Sequence, residues 1–123
     1  MKKMHETIQL SPKDQNAIEE TIRLLRDRFP VLQIVLYGSK STGTDDEESD
    51  IDLLLLTERV LSWREQDAVT EALYDVELRH DVVISTLVIS HEQWINGPYT
   101  CLPIYGEIQR EGVELWTKST RKK

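Results

Sequence analysis

The chain has a single cysteine, Cys101, so no internal disulfide can form and no Cys-rich metal site can be built; Cys101 is read as a packing residue. Its three histidines, His5, His80 and His91, show no ligand spacing with one another, which argues against a zinc site. Long apolar runs are also missing. Nothing approaches the roughly 18 consecutive apolar residues of a membrane-spanning helix, and the opening MKKMHETIQLSPKD lacks the apolar centre of a signal peptide. The expected location is therefore the cytoplasm, with no membrane partner. Basic charge is scarce: 15 Lys and Arg stand against 22 Asp and Glu, a formal net charge of -7. Broad RNA or DNA binding needs clustered cations and is not expected. The one basic cluster, Lys118 with Arg121, Lys122 and Lys123, is terminal, and residues 117–123 are read as a flexible tail. No repeat or low-complexity linker interrupts the 123 residues, so one domain over 1–123 is expected.

What is present alternates between helical and strand patterns. Ser11, Pro12 and Asp14 form a helix start, and Ile18, Ile22, Leu25 and Phe29 recur on one stripe up to Pro30. VLQIVLY, Val31 to Tyr37, reads as a buried strand closed by Gly38, and IDLLLL, Ile51 to Leu56, as a second. A helix is predicted over Trp63 to Leu78 with Ser62 as its cap, and a third strand over Asp81 to Leu87. A short helix follows Ser90 and stops at Gly97-Pro98, and a last one starts near Pro103 and ends at Gly112. Trp63, Trp94 and Trp116 read as core or interface anchors. The order describes an α/β (α+β) domain with helices flanking a small mixed sheet of three or four strands.

Chemistry concentrates between Tyr37 and Leu56. Asp50 and Asp52 are one residue apart, which on a strand puts both carboxylates on one face with Cβ atoms about 7 Å apart. Such a pair repels itself unless a divalent cation neutralises it, and Mg²⁺, which takes oxygen ligands and substrate phosphates, fits. Gly38-Ser39 follows a buried strand, where a sharp turn can present backbone amides and a hydroxyl to a phosphate. Phosphoryl-type chemistry needs mainly positioning and charge neutralisation, commonly by two metal ions. Asp81, read as opening the third strand after His80, is the candidate third carboxylate. Either half alone is an ordinary surface feature; joined at this spacing between two apolar strands, they define a site. The spacing Gly38 to Gly43 imitates a phosphate-binding P-loop, but Thr44-Asp45 stands where Lys and Ser or Thr would be required. Asp45, Asp46, Glu47 and Glu48 are read as a solvated loop.

Gly38-Ser39, ten intervening residues and Asp50-Ile51-Asp52 resemble the G-S-x10-D-x-D signature of the DNA polymerase β-like nucleotidyltransferase superfamily, most of all its minimal single-domain prokaryotic members. The HDVVIS run from His80 and the segment Pro103 to Trp116 resemble later segments of the same proteins. The resemblance implies that Gly38, Ser39 and Lys40 contact nucleotide phosphates. It also implies that Asp50, Asp52 and Asp81 form the catalytic set and bind Mg²⁺, two ions in all. The implied reaction moves AMP from ATP, or another nucleoside monophosphate, onto a hydroxyl with release of pyrophosphate. The implied partner is a HEPN-domain toxin, silenced by this AMPylation in a toxin–antitoxin system. Where related loops run G-S-R-A-R-G, this one reads Gly38-Ser39-Lys40-Ser41-Thr42-Gly43, so Lys40 takes the place of one arginine and Thr42 supplies no guanidinium. Two alternatives stay open: an adenylyltransferase acting on a small cationic molecule such as an aminoglycoside, and an antitoxin that binds without catalysing. Homo-oligomerisation is left open as well.

Overall fold

Val31–Tyr37, an apolar run between Pro30 and Gly38, forms β2, and the leucine-rich Ile51–Thr57 forms β3; the two lie antiparallel in the sheet. The computed structural model describes residues 2–3, 10–43 and 49–118. Lys2–Lys3 (β1), Ile84–Ser90 (β4) and Val113–Thr117 (β5) complete a five-stranded sheet in the order β1-β5-β2-β3-β4. β4 runs parallel to β3, whereas β5 is antiparallel to β2. The sheet is thus mixed, as the sequence predicts, with β5 and the two-residue β1 beyond the expected strands.

The helices begin where their capping residues place them. α1, Pro12–Arg28, starts at Ser11, whose side chain accepts the Asp14 N–H, and stops at Phe29 ahead of Pro30. α2 is a single turn, Ser39–Thr42. α3, Trp63–His80, opens with a Ser62/Glu65 capping box, and α4, His91–Asn96, with a Ser90/Gln93 box. A 3₁₀ turn over Pro98–Cys101 leads into α5, Pro103–Glu111. Cys101 lies exposed on that turn rather than packed.

Strand alternation sorts the core into two clusters. Ala17, Ile18 and Leu25 of α1 and Val69, Leu73 and Val76 of α3 pack with Ile34, Leu36, Ile51, Leu53 and Leu55 on one face. Trp94 of α4 and Ile108 of α5 pack with Val35, Leu54, Leu56 and Ile89 on the other. The full burial of each such leucine or isoleucine contributes about 1.5–3 kcal/mol before entropy is counted.

The start and end of β4, the end of α3 and the start of the C-terminal tail differ from those predicted. β4 starts three residues later than expected, because α3 continues to His80 and Asp81 becomes its left-handed cap (φ 57°, ψ 51°), donating its N–H to the Glu77 carbonyl. Asp tolerates that conformation better than most side chains. Glu77 then accepts the Ile84 N–H at 2.7 Å, so the strand begins only there. At the other end, Thr117 belongs to β5 and Lys118 donates its N–H to Leu32 and its Nζ to Glu58, so the tail does not start at 117. Residues 119–123 and the acidic stretch 45–48 lie outside the described residues.

Candidate functional site

Three strand ends meet at one end of the sheet. β2 and β3 are antiparallel, so the C-terminus of the first adjoins the start of the second, and the parallel β4 brings its own start to the same end. In register, Asp52 pairs with Tyr37 on one side and Ser85 on the other. Asp52 has the parity of Leu54 and Leu56, so its carboxylate stands on the α4–α5 face, just beyond the core.

Gly38 and Asp52 are in direct contact. Gly38 has φ +80°, a conformation that favours glycine, and a Cβ on it would lie 2.5 Å from Asp52 Oδ2. The glycine is needed both for the turn and for the close approach of the carboxylate. After it, Ser39 opens α2, and the turn is closed by Ser41, whose N–H and Oγ both bond the Gly38 carbonyl at 3.1 and 2.8 Å. Thr42 Oγ1 donates to the Ser39 carbonyl, and Gly43 caps the turn with φ +78°.

Negative charge is crowded at this end of the sheet. Partial burial, and then the neighbouring charge of Asp50, push the Asp52 carboxyl above the usual carboxylate range. Burial, followed by the charges of Asp52 and Glu107, pushes the Tyr37 hydroxyl up as well. Asp50 is exposed and accepts a hydrogen bond from Ser85 Oγ at 3.2 Å. A divalent cation with a preference for oxygen would offset the crowding felt by Asp52.

Two expected site residues lie elsewhere. Lys40 does not face the space in front of Ser39. Its side chain is 1% exposed, and its Nζ bonds Asp14 Oδ2 of α1 at 2.7 Å, so its charge is neutralised inside the molecule. Asp81 is not joined to the Asp50–Asp52 pair: its side chain is 98% exposed at the end of α3 and lies 3.9 Å from Lys13 Nζ. Among the described residues no three His, Cys, Asp or Glu side chains gather as a metal-holding group. The strand position beside Asp52 belongs to Ser85, four residues later, because the helix end consumes the residues between. The sequence pattern does not single out Ser85, because its place beside Asp52 follows only from the start of β4 at Ile84. Asp14, legible in the sequence only as part of a helix start, gives no signal there of its role as the partner of Lys40.

The family model described as "Polymerase beta, Nucleotidyltransferase" matches residues 19–119. A Methanocaldococcus jannaschii protein named "Putative protein adenylyltransferase MJ0141" is 29% identical over 92 residues, which cover 75% of this chain and 84% of that protein. In a solved structure of the mutant toxin–antitoxin pair MntA–HpeT, one chain superposes with a TM-score of 0.59 at 26% identity, covering 90% of this chain and 76% of that one. A chain in the complex of a tri-AMPylated Shewanella oneidensis HEPN toxin with an MNT antitoxin shares the fold, with a TM-score of 0.54, 22% identity and coverage of 85% and 72%.

Proposed function

The chain belongs to the polymerase β nucleotidyltransferase family, and we propose that it transfers AMP from ATP to a hydroxyl of a protein partner, a HEPN-domain toxin, in a reaction that depends on Mg²⁺. The observation that carries this reading is the contact between Gly38 and Asp52: the Gly-Ser turn and the carboxylate pair are one site, with no room for a side chain between them. The protein acceptor and the toxin partner are supported by what the relatives are named for and found with.

In this reading Asp50 and Asp52 hold the cation, and the Gly38–Ser39 turn orients the nucleotide phosphates. A bound divalent ion would neutralise phosphate charge and acidify the attacking hydroxyl. The acceptor oxygen bonds to the α-phosphorus, the bond to the bridging oxygen breaks, and pyrophosphate leaves. Asp50, the exposed carboxylate, takes the proton of the acceptor, and Ser85 keeps that carboxylate turned toward the site. A second reading, an antitoxin acting by contact alone, is favoured by two observations: Lys40 brings no charge to the phosphates, and a hydroxyl rather than a carboxylate stands beside Asp52.

Pyrophosphate release separates the two. With ATP, Mg²⁺ and a purified HEPN-domain toxin, release is expected, and it should stop on chelation. Asp50→Asn and Asp52→Asn should each lower the rate by about 10²-fold or more. Stable binding of that protein without release, or release indifferent to both substitutions, would overturn the catalytic reading.

A further inference from the structure

The buried pair between Asp14 and Lys40 calls for an explanation that stability does not give. Among the described ion pairs it alone has both side chains below a tenth exposed, at 1% for Lys40 and 8% for Asp14. Taking two charges out of water is costly, and an apolar pair of similar volume often serves stability as well or better. The best-attested use of such a pair is to fix one arrangement of the chain among several.

What this pair fixes is plain from its position. α2 is one turn of four residues, too short to hold itself, and it is bounded by Gly38 and Gly43, both with positive φ. Lys40 sits in the middle of that turn, one residue after Ser39 and two after Gly38. Its amine reaches Asp14 at 2.7 Å across 26 residues of sequence. Asp14 is itself held, because its N–H is bonded by Ser11 Oγ at the start of a 17-residue helix. The rigid start of α1 thus grips the turn that leads out of Gly38.

We infer that Asp14 and Lys40 are positioning residues: their buried ion pair pins the Gly38–Thr42 turn to α1 and thereby sets the affinity of the site for nucleotide phosphates, without touching them. This rests on the nucleotidyltransferase reading of the Gly38–Ser39 turn. The pair acts on the population of the competent turn; a turn competent one time in ten weakens apparent affinity about tenfold.

The test compares the unchanged protein with Lys40→Met, with the milder Asp14→Asn, and with the charge-exchanged double variant Asp14→Lys/Lys40→Asp. Amide hydrogen exchange at residues 39–43 is read against that of the β2 and β3 amides, which report global stability, and MgATP affinity is measured by calorimetry. Both single variants should speed exchange at 39–43 relative to the sheet, Lys40→Met by about tenfold, and should weaken MgATP binding in parallel. The exchanged pair should recover part of both. A variant that lowers the melting temperature but leaves relative exchange at 39–43 and MgATP affinity unchanged would overturn the inference. If the unchanged protein bound no MgATP, the nucleotidyltransferase reading and the affinity part of the inference would fall, and the exchange data would still decide whether the pair pins the turn.

Discussion

Asp52 is where function and stability pull in opposite directions. Its carboxyl is raised by partial burial and by the charge of Asp50. The unfolded chain ionises this group first, so folded stability falls as pH rises from the ordinary carboxylate value through the raised one, and the loss is complete above it. Asp52→Asn removes the charge that causes the loss. At neutral pH without divalent cation it should raise the melting temperature by a few degrees, on the order of 1 kcal/mol or less, and added Mg²⁺ should stabilise the unchanged protein but not this variant. Calorimetry with and without MgCl₂ checks both; a variant that is less stable, or that still responds to Mg²⁺, contradicts the assignment. The placement of Asp52 at a strand end and of Gly38 in a positive-φ turn beside it could be read from sequence because local rules determine both: side-chain alternation on a strand and the backbone freedom of glycine. Lys40 and Asp81 could not. A lysine beside a phosphate-binding turn and a lysine in a buried ion pair look alike until α1 is packed alongside, and the place of Asp81 depended on a helix end set by its own left-handed conformation.

Among the elements, α1 and α3 are joined at their charged edges as well as through the core. Glu20 of α1 accepts from Arg79 and lies 2.7 Å from His80 Nε2, both on α3. Bonding to Arg79 first, and then to His80, holds the Glu20 carboxyl below its usual value. The stability this supplies is present above the ordinary glutamate value and is lost as pH falls through the lowered one. Arg79 is half exposed, so the contribution is modest: Glu20→Ala should cost about 1 kcal/mol, and less in high salt. Urea denaturation at two salt concentrations measures it, and an unchanged midpoint would show the cluster to be inert. α1, α3 and α4 were legible because Ser11, Ser62 and Ser90 announce their starts. β5 was not, since VELWT is short and finds its pairing partner about 80 residues away in β2. No local pattern distinguishes such a strand from a loop.

At the scale of the molecule, the mixed sheet is what makes the site. An antiparallel β2–β3 pair beside a parallel β3–β4 pair gathers Gly38, Asp52 and Ser85 from three strands at one end, while the helices cover the two faces. A mixed sheet flanked by helices could be expected from the order of patterns along the chain, but the strand order could not.

The most direct test of the central claim is the intact mass of a purified HEPN-domain toxin after incubation with this protein, ATP and Mg²⁺. Adenylyl transfer predicts a gain of about 329 Da per event, absent when Asp52→Ala replaces the unchanged chain. No gain despite a stable complex, or the same gain with Asp52→Ala, would contradict it.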